Sequence, residues 1–257
     1  QIREAMGLVT RVVDRRSKEA QDPGALEAVE IEVENLKRKA ALEFDKMLRK
    51  SVIIQNIQRA EFVRGMMILG VKHEELGREY RKWKARFVAL GNKVKDIYDR
   101  LVIEEVIQKQ PASLETIRMG FIYEGLHPDG VSLHGDIDGA YLTKELEGDP
   151  KFLVVEPFMW PAAWHQMKPP LDMKDPPCIP IKKALYGFKR AGADFSEGRD
   201  DSLRERNWEE ISDVEQSVMM RALVMLIMSV DDLFPSGPGK PTLAGFMFGF
   251  SQKCMEQ

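Results

Sequence analysis

Apolar residues recur at two different spacings along this chain, and the change from one to the other marks its elements. After the turn signal Asp22-Pro23-Gly24, Leu26, Val29, Val33 and Leu36 fall at helical spacing. They predict an amphipathic helix, continuing toward residue 45, with Glu and Lys on its solvated face. Between 51 and 80 the pattern is ambiguous: Ser51-Val-Ile-Ile, Phe62-Val and Met66-Met-Ile-Leu fit either strands or buried helix, and Gly77 sits in a charged loop. From Trp83 to Gly91 the chain alternates. That predicts a strand with Lys84 and Arg86 on one face and Ala85, Phe87 and Ala89 on the other. Pro111 opens a second helix, with Leu114, Ile117 and Ile122 as its apolar contacts and an end near Gly125.

The second half is more broken. His127-Pro-Asp-Gly130 is a turn, and Val131–Ile137 reads as one strand carrying Asp136 near its end. Residues 139–146 suit a helical turn or two, Phe152–Val155 a strand, 157–177 a Pro- and Trp-rich irregular loop, Ile179–Ile181 a short extended piece, and 190–206 a helix. Ala222–Met228 predicts a buried strand, broken by Val230-Asp-Asp232 and ended by Ser236-Gly-Pro-Gly. No internal repeat is visible. Strands and helices mix without regular alternation, so the fold class expected is α+β.

Composition narrows this little. The 257 residues are enough for one large domain or two intimate subdomains with a sizeable core. With 44% hydrophobic and 31% charged residues the chain reads as soluble and globular. A net charge of −3 argues mildly against nucleic-acid binding. The runs Lys37-Arg38-Lys39 and Arg81-Lys82-Trp83-Lys84-Ala85-Arg86 can still make a local basic surface. Two cysteines, Cys178 and Cys254, are too few for a disulfide framework or a zinc site and fit a reducing compartment. The longest apolar run, Ala222–Met228, falls far short of the ~20 residues of a membrane span, so no membrane partner is expected. An N-terminus of Gln-Ile-Arg-Glu suggests a piece of a longer reading frame.

Candidate chemistry lies in three carboxylates. Asp231 and Asp232 directly follow an apolar strand, where adjacent negative charges are costly unless a cation balances them. Asp136 also follows a short strand, before Asp138-Gly139-Ala140. Two such strands side by side would gather all three acids, whose repulsion a divalent metal relieves. Two Mg²⁺ or Mn²⁺ ions held there could activate a 3′-hydroxyl and stabilise a leaving pyrophosphate. His134, two residues before Asp136, reads as a structural histidine, and Met219, Met220, Met225 and Met228 as core packing.

Five segments in order then resemble the reverse transcriptases of copia-type LTR retrotransposons. Asp136-Ile-Asp-Gly-Ala-Tyr-Leu142 resembles the first catalytic motif, an Asp, three variable residues, Ala and an aromatic. Lys183-Ala-Leu-Tyr-Gly-Phe-Lys189 is close to that family's Lys-Ala-Leu-Tyr-Gly-Leu-Lys, and Ser229-Val-Asp-Asp232 to its Tyr-Val-Asp-Asp box. Lys84-Ala-Arg-Phe-Val88 and Phe152-Leu-Val-Val-Glu-Pro157 resemble two of its strands. The resemblance implies a right-hand polymerase palm, an antiparallel sheet backed by helices, with N-terminal fingers and no thumb. It leaves residues 1–24 as a lead-in of unassigned role and assigns 25–130 to a helical lead-in and fingers and 131–257 to the palm.

The activity implied is RNA-directed DNA polymerisation, with the template–primer (RNA or DNA), dNTPs and the remaining Pol polyprotein (integrase, RNase H) as partners. A cytoplasmic virus-like particle with a nuclear phase is the implied location. Asp136 and Asp231 would be metal ligands, Asp232 a ligand or close supporter, and the backbone carbonyl of Ile137 a further ligand. Tyr141 would be the aromatic gate against a ribose 2′-hydroxyl, Lys84 and Arg86 would meet the triphosphate, and Tyr186, Gly187 and Lys189 would line the template–nucleotide platform. Ser229 departs from the family's Tyr, and Arg190-Ala-Gly-Ala-Asp-Phe195 lacks its Pro and Trp. Two rivals stay open: a non-catalytic remnant that folds or binds nucleic acid, and a metal-dependent nuclease. The nuclease does not account for 183–189 or Tyr141.

Overall fold

A computed structural model describes residues 10–103, 111–137, 139–212 and 215–239. Asp138, Cys254 and the N-terminal Gln-Ile-Arg-Glu lie outside them. The chain forms two compact units, Gln1–Ile103 with Glu145–Phe188, and Glu104–Lys144 with Lys189–Gln257. The first unit opens with strand β1 (Thr10–Val13), helix α1 (Pro23–Arg38), strand β2 (Leu48–Arg49), helix α2 (Lys50–Asn56) and strands β3 (Glu61–Lys72) and β4 (Lys82–Ala89). The second unit takes α3 (Leu114–Gly125), β5 (Gly130–Ser132) and β6 (Gly135–Asp136). β7 (Lys151–Val154) and β8 (Pro177–Pro180) belong to the first again. Helix α4 (Ala191–Arg204) and strands β9 (Glu209–Glu210), β10 (Val218–Arg221), β11 (Val224–Ser229) and β12 (Asp232–Pro238) complete the second. Helices and two mainly antiparallel sheets make the class α+β.

In the first unit, α1 starts where the turn signal puts it. The Asp22 side chain accepts the Gly24 N–H at 2.8 Å, and Pro23 occupies the first turn, where its missing N–H costs nothing. The helix ends at Arg38, short of the expected 45. Leu26 is not on its buried stripe: it is exposed, whereas Ala25 and Leu36 are buried. The alternation expected from Trp83 is met within β4: Ala85, Phe87 and Ala89 are buried, and Lys84 and Arg86 face out. The ambiguous stretch resolves into both alternatives, since 51–54 lie in α2 whereas Phe62 and 66–69 lie in the long strand β3. The sheet runs β1-β3-β7-β8-β2 with β4 added to β3, and only the β3–β7 pairing is parallel. Ile53, Ala60, Phe62, Phe152, Val154 and Cys178 share one core cluster. Beside it lies a buried ion pair between Lys151 and Glu61.

In the second unit the sheet runs β5-β12-β11-β10-β9, and β6 also pairs with β12. The single strand expected at 131–137 is two, β5 and β6, interrupted at Leu133-His134, although both lie along β12. Ala222 is not in the buried strand; it turns at φ 52° between β10 and β11. Ser236-Gly-Pro does not end the element after the acidic pair, because β12 continues through Pro238. Helix α3 begins at Leu114, after Pro111, with the Ser113 hydroxyl accepting the Thr116 N–H at 3.1 Å. Leu114 and Ile122 are exposed, and the helix instead buries Thr116 and Gly120. Gly120 lies so close to the sheet that a Cβ there would stand 2.7 Å from Phe234 and 2.8 Å from Ile227. Leu203, Trp208, Met219, Leu226, Met228 and Leu233 are in the core, which bears out core packing for Met219 and Met228.

Candidate functional site

The second unit gathers the three aspartates through its strand pairing. β11 and β12 form a hairpin in which Ser229 pairs with Asp232, leaving Val230 and Asp231 as the two-residue turn. Val230 adopts φ 55°, the left-handed half of the map that a β-branched residue rarely holds. On the other side of β12, Asp136 pairs with Asp232 in antiparallel register. Directly opposed residues share a sheet face, so both carboxylates lie on one side. Asp231 is tied to the same edge: the Ile137 N–H donates to its carbonyl at 2.9 Å. Asp136 and the adjacent pair Asp231-Asp232, far from it in sequence, therefore lie on neighbouring rungs.

Their surroundings are mixed. Asp136 and Asp232 are exposed and Asp231 is half-buried. The Asp232 Oδ1 is 3.0 Å from Nε2 of His134, itself exposed. The histidine read as structural thus touches a candidate catalytic carboxylate; its position two residues before Asp136 was the available signal. No group of three or more His, Cys, Asp or Glu among the described residues is arranged to hold a metal ion. The Ile137 side chain is buried in the same core as Ala140 and Phe195.

Tyr141 stands in a short 3-10 turn, Ala140–Thr143, entered through Gly139 at φ 63°. Its ring meets Phe195 of α4 edge-on, with centroids 6.1 Å apart and planes at 88°. Lys189, of the same unit, is half-buried. Sequence reading missed Arg199 of α4, whose buried guanidinium reaches the Val230 carbonyl at 2.8 Å. One of two arginines in a charged helix, Arg199 stands in no pattern that marks it.

The first unit gathers the other candidates. β3 and β4 pair so that Lys72 lies opposite Lys82, Gly70 opposite Lys84 and Ile68 opposite Arg86. Lys72, Lys82, Lys84 and Arg86 thus share one sheet face. Partial desolvation, and after it the like charges of Lys72 and Arg86, hold the Lys84 ammonium below the usual lysine range. The Arg86 guanidinium sits 4.6 Å above the Tyr186 ring. The Ala89 N–H donates to the Tyr186 carbonyl at 2.7 Å, fixing that loop to the end of β4. Gly187 follows at φ 98°. Lys84, Arg86, Tyr186 and Gly187 are therefore neighbours, and Lys72 and Lys82 join them. Lys82 was legible by alternation, whereas Lys72 needed the β3–β4 register. A cleft of about 440 Å³, lined by Ile31, Glu32, Trp83 and Lys84 among others, runs between α1 and β4.

No protein-family model matches this chain, and no curated protein matches it.

Proposed function

We propose that this chain is an RNA-directed DNA polymerase domain of the copia-type retrotransposon class, extending a primer 3′-hydroxyl with dNTPs. The observation that carries the reading is the pairing of Asp136 with Asp232 across β6 and β12, with Asp231 at the adjoining turn. On this reading the β5–β12 sheet backed by α3 is the palm, and the β3–β4 strands belong to the fingers.

The donor set suits hard divalent cations, because carboxylate oxygens are the ligands that Mg²⁺ and Mn²⁺ take and two of the three acids are open to solvent. Asp136 and Asp231 would hold the ions, with Asp232 and the Ile137 carbonyl in support. Bound ions supply an activated nucleophile and charge neutralisation at the leaving pyrophosphate. The protein's own groups do the rest. Exposed Lys84 and Arg86, on a face that also carries Lys72 and Lys82, offer positive charge to a triphosphate. The lowered affinity of Lys84 for its proton reflects partial desolvation first and the like charges of Lys72 and Arg86 second, and a bound anion would offset both. The Tyr141 ring packs edge-on against Phe195, and on this reading it would be the gate against a 2′-hydroxyl.

A second reading, a non-catalytic remnant of such an element, is favoured by the His134–Asp232 contact and by Ser229 in place of the family's Tyr. Manganese binding followed by electron paramagnetic resonance, beside primer extension, separates the two. The polymerase reading expects Mn²⁺ uptake that Asp231→Asn weakens and metal-dependent extension that Asp231→Asn abolishes. Uptake without extension favours the remnant. No uptake by the wild-type chain overturns the polymerase reading.

A further inference from the structure

Arg199 is a charge in the core of the second unit. Its side chain is 4% exposed and that of the adjoining Asp200 1%. A guanidinium so placed is costly unless its donors are met. Nε and Nη2 both donate to the Asp200 Oδ1, at 2.9 and 2.8 Å. Nη1 is directed elsewhere, to the Val230 carbonyl at 2.8 Å. That carbonyl belongs to the turn carrying Asp231, in the one residue of the hairpin tip whose φ is positive. Ser196, Gln216, Ser217 and Met228 line a small cavity around the contact. The Ile137 N–H in turn donates to the Asp231 carbonyl at 2.9 Å. The turn is therefore gripped at two successive carbonyls, by α4 and by the chain leaving β6.

We propose that Arg199 is a positioning residue, which locks the Val230–Asp231 turn in its left-handed form and so sets where the carboxylates of Asp231 and Asp232 stand. Asp200 orients the guanidinium by holding its other edge. The grip concerns the turn itself; its catalytic meaning rests on the polymerase reading above. A rigid planar fork serves here as a flexible ammonium cannot, because one group must satisfy a carboxylate and a carbonyl in fixed directions at once.

Residue-resolved amide exchange on the full chain tests it, with the Ile137 N–H as reporter. Arg199→Lys keeps a positive charge beside Asp200 but loses the fork. The double change Arg199→Leu with Asp200→Leu removes the pair without stranding a buried charge. In whichever variant folds, exchange at Ile137 should rise on the order of tenfold, as loss of a charge-assisted hydrogen bond implies, with the β10 amides unchanged. Mn²⁺ affinity should fall by a similar factor. Unchanged Ile137 exchange, or an equal rise across the whole sheet, overturns the proposal. If neither variant folds, the wild-type guanidinium decides: slowly exchanging, rotationally fixed Arg199 Nη protons support the grip, and free rotation overturns it. Faster Ile137 exchange in a chain whose wild type takes up no Mn²⁺ would keep the grip and discard the polymerase reading. Mn²⁺ uptake with unaltered exchange would do the reverse.

Discussion

Gly187 offers the sharpest structural test of the 183–189 segment. Its φ of 98° is open to glycine and strained for any L side chain. Space is also lacking: a Cβ there would stand 2.0 Å from the Ala89 carbonyl oxygen and 2.7 Å from a Val88 methyl. A backbone oxygen cannot step aside as a flexible side chain can, so Gly187→Ala must lift the Tyr186-Gly187 loop off β4. The strained dihedral costs about 1–3 kcal/mol. Lifting the loop also breaks the 2.7 Å bond from Ala89 N–H to the Tyr186 carbonyl, worth ~1 kcal/mol. The Arg86–Tyr186 stack at 4.6 Å, worth about 0.5–1 kcal/mol at an exposed site, goes with it. The expected destabilisation is about 2.5–5 kcal/mol if the loop lifts with its dihedral still strained, and about 2 kcal/mol if it detaches and relaxes. Urea unfolding of wild type and variant gives the loss, and binding of a triphosphate probe reports whether Arg86 has lost its support. A variant within about 0.5 kcal/mol of wild type, with unchanged triphosphate binding, would refute this account of the glycine.

Three further outcomes are expected. Tyr141→Val should lower stability by about 2–4 kcal/mol through loss of a half-buried ring packed on Phe195. If the ring is also the sugar gate, Tyr141→Val should shift relative kcat/KM toward rNTPs by on the order of a hundredfold in primer extension. Parallel loss of both nucleotide activities would leave it a core residue only. Burial pushes the Cys178 thiol up to about 12 from an ordinary 9.0. Its contribution to stability is therefore complete below pH 9 and is lost as pH rises toward 12, because the unfolded thiol ionises first, at a limiting slope of about 1.4 kcal/mol per pH unit. Melts of wild type and Cys178→Ala across pH 8–10.5 should diverge accordingly, and parallel curves would contradict it. Raising pH toward the lowered Lys84 value should weaken binding of a triphosphate probe earlier than an ordinary lysine would allow, and Lys84→Met should remove that part of the pH dependence.

Local pattern alone determined much of this protein. Period-2 alternation put Lys84 and Arg86 outward and Phe87 inward, since a pleated strand leaves each side chain only two directions. Asp22-Pro23 started α1 because the acid satisfies a first-turn N–H and the proline needs none. The apolar run before the acidic pair marked a buried strand ending in a turn, because adjacent carboxylates cannot follow it into the core. Other features depended on partners that no local window contains. Segment 145–188 folds with the N-terminal unit because β7 pairs in parallel with β3. The breadth of β12 past Ser236-Gly reflects β5 lying beside it, which satisfies backbone groups that the local sequence marks as a turn. Leu26 and Ile122 read as core by spacing yet are exposed, since which stripe of a helix is buried depends on what packs there: α3 approaches through Gly120. The site divides the same way. Asp136, Asp231 and Asp232 were visible as residue types in place, whereas the contact of His134 with Asp232 and the reach of Arg199 to Val230 arise only when strand register and helix docking bring distant side chains within hydrogen-bond range.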